Sequence, residues 1–281
     1  MKDKKILKSD KFLICGAKGM VGSAIHRKLQ KNGYGIAEKA EIFAPSRSEI
    51  DFTDSYKVRN WFKQNKPDIV IIAAAKVGGI LDNNSFPFEF LLENLKIQNN
   101  IIESAWHSKV RRLLFLGSSC IYPKLSKQPI KEEYLLTSQL EKSNQCYALA
   151  KIAGLKLCEA LNKEYQFDSI SLMPSNLYGE GDNYEKVNSH VIPSLIRRFH
   201  EAKTTSEKFV TCWGTGSPLR EFLHVDDLAE ASIFALENWD TFSENSPVDD
   251  EGNPLYWMNV GSNDEISIRD LAAKIAKIIG Y

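Results

Sequence analysis

The chain has 281 residues, 43% of them hydrophobic and 26% charged, with 36 Lys and Arg against 36 Asp and Glu. That length holds one large domain or two smaller ones with a sizeable core. The even charge leaves no electrostatic footprint for nucleic acid or an anionic membrane surface, and no apolar run is long enough to span a bilayer. Five cysteines (Cys15, Cys120, Cys146, Cys158, Cys212) are scattered and odd in number, without Cys-x-x-Cys or Cys/His ligand spacing. They read as reduced thiols in a cytoplasmic setting, with neither a disulfide framework nor a structural metal site.

The start is Lys-rich (Lys2, Lys4, Lys5, Lys8) and lacks the apolar stretch of a signal peptide, so residues 1–10 are expected to be a flexible, solvated extension. Residues 11–15 (KFLIC) read as a buried strand, and Gly19 to Asn32 as a helix. A strand near 41–44, a helix from about Asp54 to Gln64 and a strand at 69–73 follow. Next come a long helix from about Pro87 to Trp106, a strand at 112–116, a helix carrying Tyr147 and a strand at 169–173. Strands without alternation, separated by helices, imply a parallel sheet covered on both faces. After Pro174 the rhythm changes: a helix from Val191 to Ala202, a strand near 209–213 and an acid-capped helix over 226–238. A polar loop over 239–254, a strand at 257–260 and a helix from Ser267 to Ile279 complete the pattern.

Gly16-Ala17-Lys18-Gly19-Met20-Val21-Gly22 lies between the first strand and the first helix. Gly16 suits the tight turn, Gly19 the approach of a pyrophosphate, and Gly22 close packing of helix on sheet, while the helix N-terminus offers free N–H groups. Glycines in a βα turn can be purely structural, but this strand-turn-helix setting favours a dinucleotide. An acidic residue at the tip of the second strand would mark NAD. Here the tip reads Ala44-Pro45-Ser46-Arg47-Ser48, and Glu41, the acidic competitor, stands at the strand's start. Arg47 with Lys18 can neutralise a 2′-phosphate and Ser46 or Ser48 can donate to it; the bland alternative for Arg47 is a solvated loop cation. The reading favours NADP(H), with Asp51 and Phe52 beside the adenine.

Tyr147 and Lys151 lie four apart on one helical face. Beside a nicotinamide, such a Tyr can hand a proton to a carbonyl oxygen, and the ammonium is expected to lower the phenol pKa. A lone Tyr-x-x-x-Lys is common by chance. It gains weight here from the Gly-rich turn before it and from Gly117-Ser118-Ser119-Cys120-Ile121-Tyr122 closing a strand.

With these pieces in order, AAAKVGGI (73–80), LFLGSSCIYPK (114–124), YALAKIAGLKLCEA (147–160), PSNLYG (174–179), NSHVIPSLIRRFHEA (188–202) and WGTGSPLREFLHVDDLA (213–229) resemble the GDP-L-fucose synthases. These are a branch of the extended short-chain dehydrogenase/reductases, and the resemblance runs from Phe12 onward. It implies an α/β fold: a Rossmann-type doubly wound parallel sheet with a smaller α+β substrate domain. Residues 11–175 would bind NADP(H) and 176–281 mainly the substrate, with about 225–262 partly returning to the first domain. By the resemblance, the chain is expected to lack a C-terminal segment that completes the family's substrate domain. The family also implies a GDP-sugar substrate and a homodimer built on the helix from about Pro87 and the helix carrying Tyr147.

The implied chemistry is epimerisation of GDP-4-keto-6-deoxy-D-mannose at C3 and C5, followed by NADPH reduction of the C4 ketone. By motif, Ser118 and Tyr147 bond the C4 oxygen, Lys151 holds the nicotinamide ribose, and Cys120 and His190 form the acid/base pair, the thiol with a moderately lowered pKa. The resemblance places Gly16, Lys18, Gly19, Met20, Val21, Gly22, Arg47, Asp51, Phe52, Ala74, Leu116, Gly117, Lys151, Pro174, Asn176, Leu177 and His190 at the cofactor. It places Ser118, Asn176, Arg198, Trp213 and Arg220 at the sugar nucleotide. Taken singly, Cys120 reads as a small buried hydrophobe, His190 as a helix-start residue, and Ser118 as a turn cap. A nucleotide-sugar 4,6-dehydratase or 4-epimerase is the nearest alternative, but a dehydratase carries an Asp-Glu pair where this chain has Ser119-Cys120. A catalytically idle NADP(H) sensor would typically lose the Tyr or the Lys.

Overall fold

In the computed structural model, residues 5–186 and 189–281 are described. The strands β1 (Lys11–Cys15), β2 (Glu41–Phe43), β3 (Ile69–Ile72), β4 (Arg112–Leu116), β5 (Ser169–Pro174) and β8 (Trp257–Val260) form one parallel sheet in the order β2-β1-β3-β4-β5-β8. Both faces are covered, so the strands read as continuous apolar runs. Within β1, Leu13 and Cys15 join the core on one face, with Val58, Phe62, Ile101, Ile102 and Leu155. Phe12 and Ile14 join the other, with Ala24, Ile25, Leu29, Val225, Ile233 and Leu236. Those side chains come from α2 (Ser55–Asn65), α4 (Pro87–His107) and α5 (Gln145–Tyr165) on the first face, and from α1 (Met20–Lys31) and α7 (Val225–Asn238) on the second. Strand order reverses between β1 and β3, which opens a crevice at the carboxyl ends of the strands.

A smaller unit holds β6 (Asn176–Tyr178), β7 (Leu219–His224) and β9 (Glu265–Ser267), with α6 (Val191–Thr205) and α8 (Ile268–Ile279). Its core is Leu195, Phe199, Leu271, Ala272 and Ile275. A short helix α3 (Ile80–Ser85) precedes α4. Among the described residues, no helix is long and apolar enough to cross a membrane.

Two expectations need correction. The expected strand near 209–213 is irregular: Phe209 is 84% and Trp213 65% exposed, and β-rich side chains without a partner strand do not make one. The expected flexible extension is docked over residues 5–10, while residues 1–4 lie outside the described set. Ile6 is 1% exposed within the α1/α7 core, the Lys5 N–H donates to Glu237 O at 3.0 Å, and Lys5 Nζ pairs with Asp240 at 2.6 Å. Asp10 is buried, accepts from Leu7 N at 2.7 Å and pairs with Arg111. Its neighbour Arg112 is fully buried at the base of β4, donating to Asp168 Oδ2 at 2.8 Å and to the carbonyls of Trp239 and Ala235.

Candidate active site

The crevice is lined by main chain from five strand ends. Gly16 has φ +87°, and a Cβ there would stand 2.7 Å from Ala74 N, so the first turn and the end of β3 touch only because Gly16 has no side chain. A Cβ on Gly22 would collide with the Gly16 carbonyl, which fixes α1 close to the sheet. Gly19 caps α1 without a side-chain hydrogen bond, leaving the first-turn N–H groups of Met20 and Val21 to an anion. These features fit a dinucleotide pyrophosphate. At the end of β4, Gly117 N donates to Leu172 O at 2.9 Å, beside the end of β5 at Pro174.

At the tip of β2, Arg47 and Lys18 are exposed. Ser46 is already engaged: its N–H and Oγ donate to Glu49 Oε2 at 2.7 and 2.6 Å, and its Oγ lies 2.9 Å from Ser48 Oγ. These bonds hold the Glu49 carboxyl below its ordinary range, with Lys18 adding to the effect. Asp51 accepts from Thr53 N and Oγ1 at 2.9 and 2.8 Å. The Phe52 side chain is buried in the core on the α2/α4 face of the sheet.

Ser118, Cys120, Tyr147 and Lys151 come together where β4 ends. Ser118 caps a single 3₁₀ turn, Ser119–Ile121, and its Oγ accepts from Cys120 N at 3.4 Å. Lys151 is buried, donates to Leu116 O at 2.9 Å and stacks over Phe115 at 4.9 Å. Its Nζ lies 5.8 Å from the Tyr147 ring centre. This arrangement reverses two expectations about protons. The Tyr147 phenol is pushed well up by burial, with the Cys120 sulfur acting in the same direction. Burial lowers Lys151 to about 8, opposed by the pull of Cys120. The Cys120 thiol is also raised: burial outweighs its Ser118 bond and the Lys151 charge.

In the smaller unit, Arg198 donates to Thr211 O at 2.8 Å and its guanidinium lies 4.9 Å over the exposed Trp213 ring. This is a stacked cation–aromatic pair. Asn176 Nδ2 donates to Glu221 O at 2.9 Å, and Leu177 pairs with Leu223 across β6 and β7. Arg220 is exposed next to Glu221. His190 is exposed at the start of α6, within electrostatic reach of Asp182. No hydrogen bond joins it to Cys120 among the described residues.

Two positions escaped the sequence reading. Asn94 and Gln98 are buried on the core face of α4. Asn94 bonds both main-chain groups of Lys76, Oδ1 accepting at 2.8 Å and Nδ2 donating at 3.0 Å, and so fixes the loop after β3. Gln98 donates to Ala150 O at 2.6 Å, within the Tyr147–Lys151 turn. The available signal was helical register: both fall in line with Phe90, Ile101 and Ala105, where a polar residue needs a partner.

A glycine turn at a strand-order reversal, with a Tyr-x-x-x-Lys helix beside the next strand ends, defines a dinucleotide-dependent enzyme of the short-chain type. The model of the NAD dependent epimerase/dehydratase family matches residues 12–248. GDP-L-fucose synthase 1 of Arabidopsis thaliana is 48% identical over 274 residues, 98% of this chain and 79% of that protein. GDP-L-fucose synthase of Escherichia coli K12 is 48% identical over 277 residues, 98% of this chain and 83% of that one. Among solved structures, a GDP-L-fucose synthetase from Naegleria fowleri bound to NADP aligns with TM-score 0.83 at 25% identity, covering 100% of this chain and 82% of that one. The chain belongs to the NAD dependent epimerase/dehydratase family and, within it, to the GDP-L-fucose synthases.

Proposed function

We propose that this chain converts GDP-4-keto-6-deoxy-D-mannose to GDP-L-fucose, in the cytoplasm, as a homodimer. The observation that carries the reading is Cys120 beside Ser118, Tyr147 and Lys151 at the end of β4: a thiol among oxyanion donors, where a dehydratase holds two carboxylates. C3 and C5 flank the C4 carbonyl, so stabilising the C4 oxyanion acidifies both C–H bonds. Ser118 and Tyr147 direct their hydroxyls to that oxygen. Cys120 and His190 move the carbon-bound protons, one removing and one returning. Burial keeps the proton on Tyr147, the form that protonates O4 during reduction. Bound NADPH supplies the hydride to C4. Lys151, Asn176 and Leu177 orient the nicotinamide end, and Lys18, Arg47 and the turn 16–22 hold the phosphates. Arg198, Trp213 and Arg220 take the GDP portion, through a fork suited to a diphosphate and an aromatic face suited to a base.

The direct test is NADPH oxidation with GDP-4-keto-6-deoxy-D-mannose and identification of the product sugar; a product epimerised at neither C3 nor C5 would overturn the reading. In parallel, Arg47→Ala should weaken NADPH by about 1–3 kcal/mol, with NADH nearly unaffected. Equal loss for both cofactors would remove Arg47 from the 2′-phosphate. For the dimer, α4 and α5 form the most extensive helix pair in the fold and leave Phe88 and Leu149 exposed at 72% and 41%. Sedimentation at micromolar concentration should give twice the 31.8 kDa chain mass, and a monomer would refute the assignment.

A further inference from the structure

The turn that carries Ser118 and Cys120 is weakly held by its own hydrogen bonds. Ile121 N reaches Ser118 O at 3.2 Å, Tyr122 N reaches Ser119 O at 3.3 Å, and Cys120 N reaches Ser118 Oγ at 3.4 Å. All three are at or beyond the long end of the usual range. A single 3₁₀ turn of this kind does not fix a side chain to the fraction of an ångström that proton transfer needs. The residue that closes it is differently placed. Tyr122 is 4% exposed, and its hydroxyl donates to Asn259 Oδ1 at 2.6 Å. Asn259 sits on β8, and its own amide donates to Ile130 O at 3.0 Å. Its main-chain N–H donates to Glu132 Oε1 at 2.7 Å. The acceptor is therefore held from two further directions, by the segment that runs on from the turn.

We propose that Tyr122 and Asn259 are positioning residues for Cys120: a buried clamp that seats the Ser118–Cys120 turn against β8 and fixes the thiol opposite Tyr147 and Lys151. Neither residue touches the reacting carbons. Their effect passes through the turn, because Cys120 is two residues from the anchored ring and Ile121 between them is fully buried. A phenol bonded to an amide that is itself tied to Ile130 O has a preferred direction, so the clamp sets rotation of the turn as well as its depth. The catalytic consequence rests on the proposed acid/base role of Cys120; the positioning itself does not.

Tyr122→Phe deletes one oxygen and keeps the ring in the core, so the fold is retained. Asn259→Leu removes the acceptor from the other side at similar volume and serves as an independent second variant. Two readouts are taken on the full chain. The first is site-resolved alkylation by iodoacetamide, followed by mass spectrometry, with the exposed Cys212 as internal reference. Both variants should alkylate Cys120 about 3–10-fold faster than wild type, because the thiol gains access, while Cys212 is unchanged. The second is deuterium incorporation into the keto sugar, which should fall roughly 10–100-fold in both variants. NADP⁺ affinity, measured by calorimetry, should stay at the wild-type value. Wild-type alkylation of Cys120 in both variants overturns the clamp, even if thermal stability drops. Faster alkylation with wild-type deuterium exchange overturns its role in catalysis. Cys120→Ala, run beside them, separates that failure from failure of the parent reading: if it too exchanges normally, the thiol was never the base.

Discussion

Tyr147→Phe should cut NADPH oxidation in the full reaction by roughly 10²–10⁴-fold, the usual contribution of a positioned general acid. The phenol is held protonated by burial, and the variant removes that proton donor without opening a cavity. Phe90, whose ring centre lies 6.5 Å from the Tyr147 ring in an edge-on arrangement, keeps the aromatic contact in the variant. Solvent deuterium should still enter C3 and C5 in part, because Ser118 continues to support the enolate. Cys120→Ala should show the opposite pattern. Without NADPH, deuterium incorporation should fall by a similar roughly 10²–10⁴-fold, since the proposed proton-transfer group is gone. Hydride transfer to a substrate already epimerised should survive. Equal loss of both activities in both variants would mean that the two residues act as one unit, and the division of labour proposed above would be wrong.

Arg112→Leu should lower the free energy of unfolding by about 3–5 kcal/mol, the usual cost of stripping one partner from a buried ion pair. The guanidinium is fully buried, bonded to Asp168 and to the carbonyls of Ala235 and Trp239. Its loss leaves the Asp168 carboxyl, already raised by burial, without its main compensating charge. It also removes the Arg112 donor from the Trp239 carbonyl at the C-cap of α7, while Ala235 O keeps the Trp239 N–H at 3.0 Å. Arg112→Leu combined with Asp168→Asn should recover part of the loss, because the stranded charge is then absent. Urea denaturation followed by circular dichroism gives the comparison. A shift below about 1 kcal/mol would show that the buried pair contributes no more than an exposed one. This site lies at the amino ends of the strands, away from the crevice, so cofactor affinity should be unchanged wherever the variant is folded.

The cofactor half was legible because its signals are local. Apolar runs of four or five residues, a glycine turn with a spacing of three, and Tyr147 four before Lys151 each act within one or two elements. The order β2-β1-β3-β4-β5-β8 obeys the connection rules for parallel strands. The smaller unit was less legible because its short strands exist only through distant pairing. Asn176–Tyr178 becomes a strand by meeting Phe222–His224, and Glu265–Ser267 by meeting Leu219–Glu221. Nothing within three residues specifies either. The stretch 209–213 shows the converse, with strand-forming residues and no neighbour. Ile6 and Leu7 were submerged in a Lys-rich run, although Ile6 closes the core beneath α7. At the site, residue identities could be read but proton positions could not. Whether Tyr147 is acidified depends on how deeply the phenol is buried, and that burial pushes it up.

The sheet that cradles the cofactor is finished by β8, which pairs with β5 only after the chain has passed through β6, α6 and β7. Helix α7, which packs against α1 behind the glycine turn, likewise follows directly from β7. The two halves are therefore threaded through one another, and neither closes its core before the other is in place. Contacts this distant in sequence form late and break together. A dinucleotide that binds only the closed sheet raises the free energy of opening β6 and β7 as well as that of β1 and β3. Strand β7 thus inherits rigidity from a ligand that none of its residues is assigned to hold, and amide exchange in residues 219–224, with and without NADP(H), reads how much of it reaches them.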